Sequence, residues 1–221
     1  MKLQTETEEN YLKAIYHLSQ DGKTVSTTAL SKNLNTTPAS VTDMIKKLGE
    51  KALVEYQPYK GVTLTTAGRT IGLRIIRKHR LWEVFLVNIL NYSWDEIHET
   101  AEQLEHIHSP ELIDKLDAFL GFPKFDPHGD PIPSAEGKFE DRKTQCLADC
   151  NSDEEFLIAG VLNHSPEFLQ YLDKVSLTLG KSVRIQEKLP FAQSLEIAIE
   201  GKTLVIPGEI SRNILVVKKT A

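Results

Sequence analysis

Cysteine is scarce in this chain, in which Cys146 and Cys150 are the only two among 221 residues. Two cysteines exclude a disulfide framework and a four-cysteine zinc site. Their spacing in KTQCLADC would place both thiols on one face of a helix. We interpret them as incidental, partly buried thiols rather than as a functional site.

Long apolar runs are also missing. No stretch approaches the roughly 18 residues that a membrane-spanning helix needs, and the N-terminus lacks the apolar region of a signal peptide. We therefore expect a cytoplasmic protein that does not enter the membrane. With 40% hydrophobic and 26% charged residues, the composition is that of one large globular domain or two to three small ones.

The net charge is only −5, but it is unevenly distributed. Residues 1–78 contain 12 Lys and Arg against 7 Asp and Glu, whereas residues 79–150 contain 6 against 15. The remaining residues are nearly balanced, with 8 against 9. A basic first third predicts an anionic partner, and an acidic middle predicts a cationic ligand.

The first third has the pattern of a helix-turn-helix. Apolar residues at helical spacing predict a first helix over residues 6–18, capped by Thr5 or Thr7 and ended by Asp21-Gly22. A second helix is expected over residues 26–34, and a third follows after the short turn Asn-Thr-Thr. Two short helices joined by a tight turn are typical of DNA-binding proteins.

The third helix begins at Pro38, and a hairpin follows it. The stretches LVEY and VTLT, residues 53–56 and 62–65, are predicted strands, joined by a turn over residues 58–61, and this hairpin would be the wing. In such folds the third helix enters the major groove. Protein contacts are the alternative use of a winged helix, but the basic charge favours DNA. The expected contacts to bases and phosphates come from Thr27, Thr37, Pro38, Ala39, Ser40, Thr42, Asp43, Lys46, Lys47 and Lys60.

The acidic middle contains a candidate metal site. On a helix, His98, Glu102, Glu105 and His106 would fall within an arc of roughly 100°. His79 and Glu83, four residues apart, would lie on the helix before it, whose long apolar run predicts a dimer interface. Imidazole with carboxylate suits manganese, ferrous iron, zinc or cobalt. The alternative is a solvated acidic face, and spacing alone does not choose between the two.

The remaining chain is expected to be irregular and then β-rich. A further helix should run from residue 109 to 119, and FPKFDPHGDPIPSAEG should form loops. We interpret His128, in that loop, as a turn histidine rather than a ligand. Five short stretches of period two, with one helix after the first, predict a small barrel. His164 and Glu167 flank the start of that helix.

Taken together, the motifs resemble those of the diphtheria toxin repressor family of metal-dependent transcriptional regulators, including its manganese transport regulator branch. The resemblance covers nearly the whole chain and rests on ENYLKAIYHL, TTPASVTDMIKKL, GVTLTTAGRTIG, RKHRLWEVFL, IHETAEQLEHI and DPHGDPIP. It implies a mainly α chain with a small all-β domain. The implied domains are a winged helix-turn-helix at 1–73, a helical metal-binding and dimerisation domain at 74–140, a linker at 141–152 and an SH3-like (FeoA-like) barrel at 153–221.

The resemblance also implies a function and two metal sites. Members are homodimers that bind an inverted-repeat operator on double-stranded DNA and repress metal-uptake genes. The primary site would use Asn10, Glu102, Glu105 and His106. The ancillary site would use His79, Glu83 and His98, with His164 and Glu167 contributed by the barrel.

Two positions bear on the identity of the metal. The manganese branch has Asp and Glu at the positions of Asn10 and Glu102, whereas iron-responsive members have Met and Cys there. Glu102 therefore favours Mn(II), because hard oxygen ligands suit that ion. Asn10 is neutral, Lys13 replaces a second carboxylate of the manganese branch, and the barrel is typical of the iron-responsive architecture. We favour Mn(II), with Fe(II) as the alternative, and Zn(II) or Co(II) as substitutes in vitro.

Two alternative functions are compatible with parts of the sequence. A metal-dependent hydrolase is the alternative of another class, since His with Glu can activate a zinc-bound water. The sequence has no HExxH-type pair and no nucleophile elbow, and the basic winged helix would go unused. We therefore expect no enzymatic activity. A winged-helix regulator that does not respond to metal is the other alternative.

Overall fold

The computed structural model describes residues 4–19, 23–58 and 60–219. These residues form two compact units. The first unit contains the described residues up to His79 together with Glu102–Ile113 and Pro133–Phe139. The second unit contains Arg80–Ala101, Asp114–Ile132 and the described residues from Glu140 onward.

The first unit contains the expected winged helix-turn-helix. Thr5 caps the first helix through a capping box with Glu8, and Ser26 and Thr37 cap the next two by accepting from backbone amides. The inward residues of the third helix, Val41, Ile45 and Leu48, are fully buried in the core of this unit. The elements are α1 (Glu6–Leu18), α2 (Thr27–Asn33), α3 (Pro38–Glu50), β1 (Val54–Gln57) and β2 (Gly61–Leu64).

The hairpin differs slightly from its prediction. Both strands are shifted by one residue, since β1 begins at Val54 and β2 begins at Gly61. Gly61 adopts a φ of +115°, and a Cβ there would lie 2.5 Å from the carbonyl oxygen of Val25, so this strand start requires glycine. The predicted helix end at Asp21-Gly22 and the turn residue Tyr59 lie outside the described residues.

Three helices follow the wing: α4 (Thr66–Asn88), α5 (Ile97–Leu104) and α6 (Pro110–Phe119). The prediction that one helix carries His98 through His106 is wrong, because α5 ends at Leu104 and the next two residues form a turn. The side chain of Ser109 accepts from the amide of Leu112 at the start of α6, and Pro110 disfavours helical backbone before it. The chain therefore leaves α5 before the last two predicted ligands.

The apolar run of α4 is mostly covered by the chain itself. Leu81, Val84 and Leu86 are at most 4% exposed, whereas Ile89 and Leu90, at the end of the run, are 43% and 50% exposed. The dimer interface expected from this run stays a prediction. Among the described residues, every helix is too short or too polar to span a bilayer.

The C-terminal part of the second unit is an antiparallel sheet of six strands in the order β3-β8-β4-β5-β6-β7. Its buried face packs around Phe156, Leu172 and Ile197. The five predicted strands are present, and a short strand precedes them. The elements are β3 (Gln145–Cys146), β4 (Glu155–Val161), α7 (Pro166–Lys174), β5 (Ser182–Leu189), β6 (Ser194–Ile199), β7 (Lys202–Pro207), α8 (Gly208–Arg212) and β8 (Ile214–Lys218).

The two cysteines do not share a helical face. Cys146 lies in β3, a single 3-10 turn follows, and Cys150 comes directly after that turn. The Cys150 thiol is buried, and burial raises its pKa to about 11. Such a thiol is protonated and unreactive at neutral pH, which agrees with a packing role.

Candidate metal centre

Glu105 is the centre of a polar cluster in the first unit. Its side chain is completely buried. One carboxylate oxygen, Oε1, lies 2.6 Å from Nζ of Lys13, and the other, Oε2, lies 2.6 Å from Nδ1 of His79. Nε2 of His106 lies 3.8 Å from Oε1. Burying a carboxylate costs free energy unless it has partners. The contacts of Glu105 therefore mark it as the negatively charged centre of a polar site.

Glu9 joins the same cluster from α1. Its Oε2 lies 2.6 Å from Nδ1 of His106, and its Oε1 lies 3.8 Å from Nδ1 of His108. Nζ of Lys78 lies 3.9 Å from the same Oε1, and burial lowers the pKa of this lysine against the opposing effect of Glu9 and Glu105. Sequence reasoning missed Glu9. The sequence did offer one indication of its role, since Glu9 directly precedes the predicted ligand Asn10 on the first helix.

The side-chain oxygen of Asn10 shows whether the site suits a cation. Its Oδ1 is buried and has no hydrogen-bond partner among the described residues. An orphaned buried acceptor costs free energy, and a bound cation would satisfy it. Glu102, whose Oε1 lies 3.2 Å from Nζ of Lys13, adds another carboxylate. Carboxylate and amide oxygens and imidazole nitrogens are donors that divalent metals accept, so the residues present fit a divalent metal ion.

A second cluster lies in the second unit. Glu83, Asp126 and His128 are all buried, and each offers a ligand atom within 4.8 Å of the others. Nδ1 of His128 lies 4.0 Å from Oε1 of Glu83, and Nδ1 of His98 lies 3.9 Å from the same oxygen. Two buried carboxylates and one buried imidazole around one point can hold a divalent ion. His128, interpreted as a turn residue, does lie in a turn, but it faces two carboxylates.

Arg80 holds the turn that carries His128 and Asp126. Its guanidinium lies 3.4 Å from Asp126, bonds to Asp130 at 3.0 Å and donates to the carbonyl oxygen of Pro131. Burial raises the pKa of Asp126 well above its usual range, with Glu83 and Asp130 adding to the effect and Arg80 opposing it. A raised pKa is expected where buried carboxylates lie close together, and such a group also attracts a cation.

The ring of His128 is fixed from two sides. Its Nε2 lies 2.9 Å from the carbonyl oxygen of Trp94, and its ring stacks on that of His164 with centroids 4.7 Å apart. Burial lowers its pKa, which keeps the imidazole neutral as a metal ligand requires. The histidine is therefore oriented with its Nδ1 on the side of Glu83.

The predicted ancillary ligands come from both units, and their role stays a prediction. His79 belongs to the first unit, where it bonds Glu105, whereas Glu83 and His98 belong to the second. His164 and Glu167 are both exposed, and His164 reaches the second cluster through its stacking on His128. The predicted primary residues Glu102, Glu105 and His106 lie in the first unit, as does Asn10.

Most of the predicted DNA-contacting residues, all of which lie in the first unit, are exposed. Thr37, Pro38, Ala39, Ser40 and Asp43 are exposed, as are the three lysines of the set, whereas Thr27 and Thr42 are half-buried. The hydroxyls of Thr37 and Ser40 bond each other at 2.9 Å, and that of Thr42 donates to the carbonyl of Pro38. These three hydroxyls therefore already form hydrogen bonds at the start of α3.

Each part of the chain matches a family model. Residues 3–62 match the N-terminal DNA binding domain of iron dependent repressors, residues 65–134 match their metal binding and dimerisation domain, and residues 145–218 match the FeoA domain. The fold class expected from the sequence is therefore confirmed, including its DNA-binding, helical and SH3-like parts.

Individual proteins agree with the models. An uncharacterized HTH-type transcriptional regulator of Methanocaldococcus jannaschii is 38% identical over 51% of this chain and 90% of its own length. The iron-dependent repressor IdeR of Mycobacterium leprae is 31% identical over 58% of this chain, but the match spans only 56% of IdeR.

Solved structures extend the likeness to the whole chain. A manganese-dependent transcriptional repressor in complex with manganese is 36% identical, with a TM-score of 0.85, and the alignment covers 96% of this chain and all of that one. Relatives are thus DNA-binding regulators, not enzymes, and include iron- and manganese-dependent members. The chain belongs to the iron-dependent repressor family of metal-dependent, DNA-binding and dimerising transcriptional repressors, in which the diphtheria toxin repressor is also found.

Proposed function

We propose that this protein is a manganese-responsive repressor of metal-uptake genes, acting in the cytoplasm as a homodimer on an inverted-repeat operator. Iron(II) is the alternative effector. The observation that carries the proposal is the buried Glu105 carboxylate, with His79, His106 and Glu9 around it and the unpaired Oδ1 of Asn10 in the same unit. Carboxylate and amide oxygens with one or two imidazoles suit Mn²⁺ better than thiolate-selecting ions.

The ligands come from two parts of the first unit. Glu9 and Asn10 lie on α1, whereas Glu102 lies on α5 and Glu105 and His106 follow that helix. A bound ion supplies the positive charge that these donors share. An ion held by both groups would fix α1, and with it the DNA-binding helices, relative to the turn after α5.

Ion pairs connect α1 directly to α3, the helix expected to enter the major groove, and to its C-cap. Glu8, beside Glu9, accepts from Nζ of Lys51 at 2.7 Å through both oxygens and lies 3.1 Å from Nζ of Lys47. Movement of α1 is therefore transmitted to the end of α3. Because binding free energies are linked, metal and DNA must raise each other's affinity by the same factor.

We propose the second cluster as an additional metal site, formed by Glu83, Asp126 and His128, with His98 beside it. The turn that carries His128 rests on β4, since the amide of Val161 donates to the carbonyl of His128 at 2.9 Å. Occupation of this site would order the turn against the sheet. Direct ligation by His164 and Glu167, which the family resemblance implies, stays a prediction.

The test is fluorescence anisotropy on the protein's own promoter fragment, at fixed salt because phosphate contacts are salt-dependent. Binding is measured with chelator, with Mn²⁺ and with Fe²⁺ under anaerobic conditions. We expect binding only with metal, and the ion effective at the lower concentration is the effector. Glu105→Ala should lose the metal response, whereas Glu99→Ala, on the exposed side of α5, should keep it. Equal binding in all three conditions would refute the metal switch.

A further inference from the structure

Lys13 bonds two carboxylates of the proposed first metal site in this structure. Its ammonium nitrogen lies 3.2 Å from Oε1 of Glu102 and 2.6 Å from Oε1 of Glu105, and its side chain is only 13% exposed. Glu105 already bonds His79 through its other oxygen, so both of its oxygens are engaged. Two carboxylates proposed as metal ligands are thus bound to a cation that belongs to the chain.

Because both are positively charged, the Lys13 ammonium and a metal ion exclude each other from Oε1 of Glu105. Two unit charges of the same sign repel strongly when buried a few ångströms apart, because little solvent lies between them. A divalent ion sharing Oε1 of Glu105 would stand within such a distance of the Lys13 ammonium. Lysine has a flexible stem of four carbons, so its ammonium can move away without the backbone moving. Glu102, at 37% side-chain exposure, lies on the side open to solvent.

We propose that Lys13 is a built-in competitor for metal, and that its displacement from Glu102 and Glu105 sets the metal concentration at which the protein responds. This inference rests on the proposed function, since it concerns the same site. In the metal-free protein the ammonium neutralises the buried carboxylate of Glu105, and so stabilises the fold. Metal must break those two charge-assisted bonds before it can use the same oxygens.

The proposal predicts an unusual change in metal affinity when Lys13 is substituted. Removing a side chain from a binding site ordinarily weakens binding, but removing Lys13 should tighten it. Lys13→Met keeps the length and apolar stem of the side chain and deletes only the charge. Lys13→Arg keeps the charge, so the competition should persist. Lys32→Met, at an exposed lysine of α2, is the matched control.

The first experiment is calorimetric titration of the full chain with Mn²⁺. Glu105→Ala identifies which class of binding site belongs to the first cluster. At that class we expect Lys13→Met to bind about tenfold more tightly than wild type, the typical effect of removing a charged hydrogen bond that must be broken. Lys13→Arg and Lys32→Met should stay within about twofold of wild type. Equal or weaker binding by Lys13→Met would overturn the inference.

A second measurement uses the wild-type protein and does not depend on the variants folding. Acylation of lysine amines is followed by mass spectrometry with and without Mn²⁺. We expect Lys13 to react severalfold faster with Mn²⁺, because the ammonium has left Glu102 and Glu105, while Lys32 reacts at an unchanged rate. An unchanged or slower reaction of Lys13 would also overturn the inference.

The two proposals fail in different ways. If wild type binds Mn²⁺ and then DNA, but Lys13→Met is no tighter, only the competition is wrong. If Glu105→Ala binds Mn²⁺ as wild type and Lys13→Met do, the proposed metal site is wrong and the competition falls with it. If only Lys13→Met binds, the competition is supported in its strongest form.

Discussion

Nδ1 of His106 lies 2.6 Å from Oε2 of Glu9, and this contact joins the turn after α5 to the first helix of the chain. The two side chains are 9% and 7% exposed. Ninety-seven residues separate them in the sequence, so no local pattern pairs them. The contact brings a histidine predicted as a ligand to a glutamate that was not predicted.

The first prediction concerns Glu9 itself. Glu9→Gln keeps the shape of the side chain and removes its charge, so it should weaken Mn²⁺ binding at the first site by about tenfold or more. Calorimetry measures the affinity. Glu6→Gln, an exposed residue of the same first turn, is the control and should bind normally. Normal affinity in Glu9→Gln would remove this residue from the ligand set.

The second prediction concerns the unpaired oxygen of Asn10. Asn10→Leu removes a buried acceptor without a partner, so the metal-free protein should become about 1–2 kcal/mol more stable while its affinity for Mn²⁺ falls. Urea unfolding in chelator and calorimetry with Mn²⁺ measure the two effects. Asn10→Asp adds a negative charge, and should tighten Mn²⁺ binding and destabilise the metal-free protein. A metal-free Asn10→Leu protein less stable than wild type would contradict the prediction.

The third prediction is a dependence of stability on pH. Burial by itself would raise the pKa of Glu8, but hydrogen bonds from Lys51, Lys47 and the Thr5 backbone more than offset it, so the pKa lies below the model-peptide value of 4.5. A carboxylate with a lowered pKa stabilises the fold above its unfolded pKa, and this contribution is lost as the pH falls through the folded pKa.

Glu8→Gln should therefore melt at a lower temperature than wild type at about pH 6, and the difference should shrink towards about pH 3. Thermal unfolding of both proteins with chelator measures it. Glu50→Gln, an exposed residue at the end of α3, should show no such trend. A difference between Glu8→Gln and wild type that stays constant across this range would show that the ion pairs with Lys47 and Lys51 contribute nothing.

The fourth prediction concerns DNA. Lys46 is 63% exposed on α3, and its 3.8 Å pair with Asp43, itself 81% exposed, is too solvated to hold it. If it binds a phosphate, Lys46→Ala should weaken binding to all sequences alike and reduce the slope of log K against log salt by about one. Lys202→Ala, on the last-but-one strand, should leave the slope unchanged. An unchanged slope in Lys46→Ala would place this lysine outside the interface.

Local sequence patterns predicted the helices well, because their signals are local. Thr5, Ser26 and Thr37 cap helices within three residues of their own positions, and apolar spacing identifies the faces that Leu12 and Ile45 bury. The same patterns failed at the end of α5. Glu105 and His106 continue the helical spacing, but the capping of the next helix at Ser109 ends the segment first.

The sites were harder to predict because they depend on distant residues. Spacing predicted Glu105 and His106 as ligands, and the family resemblance implied Asn10. Neither could show that Lys13 lies on Glu105, nor that the turn containing His128 folds back on Glu83. A histidine without a partner at regular spacing resembles any turn residue, and only the tertiary fold shows which carboxylates it faces.

The last prediction tests how that turn is held. Gly129 adopts a φ of +90°, and a Cβ there would lie 2.2 Å from the carbonyl oxygen of Ala159 and 2.4 Å from Cα of Gly160. Gly129→Ala should therefore push the turn away from β4, cost about 2–5 kcal/mol and weaken metal binding at the second cluster. Gly180→Ala is the matched control, since Gly180 has a φ of +81° but nothing within 4 Å of its Cβ position. It should cost only about 1–2 kcal/mol of backbone strain and leave metal binding unchanged. Urea unfolding and calorimetry measure both quantities, and equal effects of the two substitutions would show that the turn's contact with β4 does not position His128.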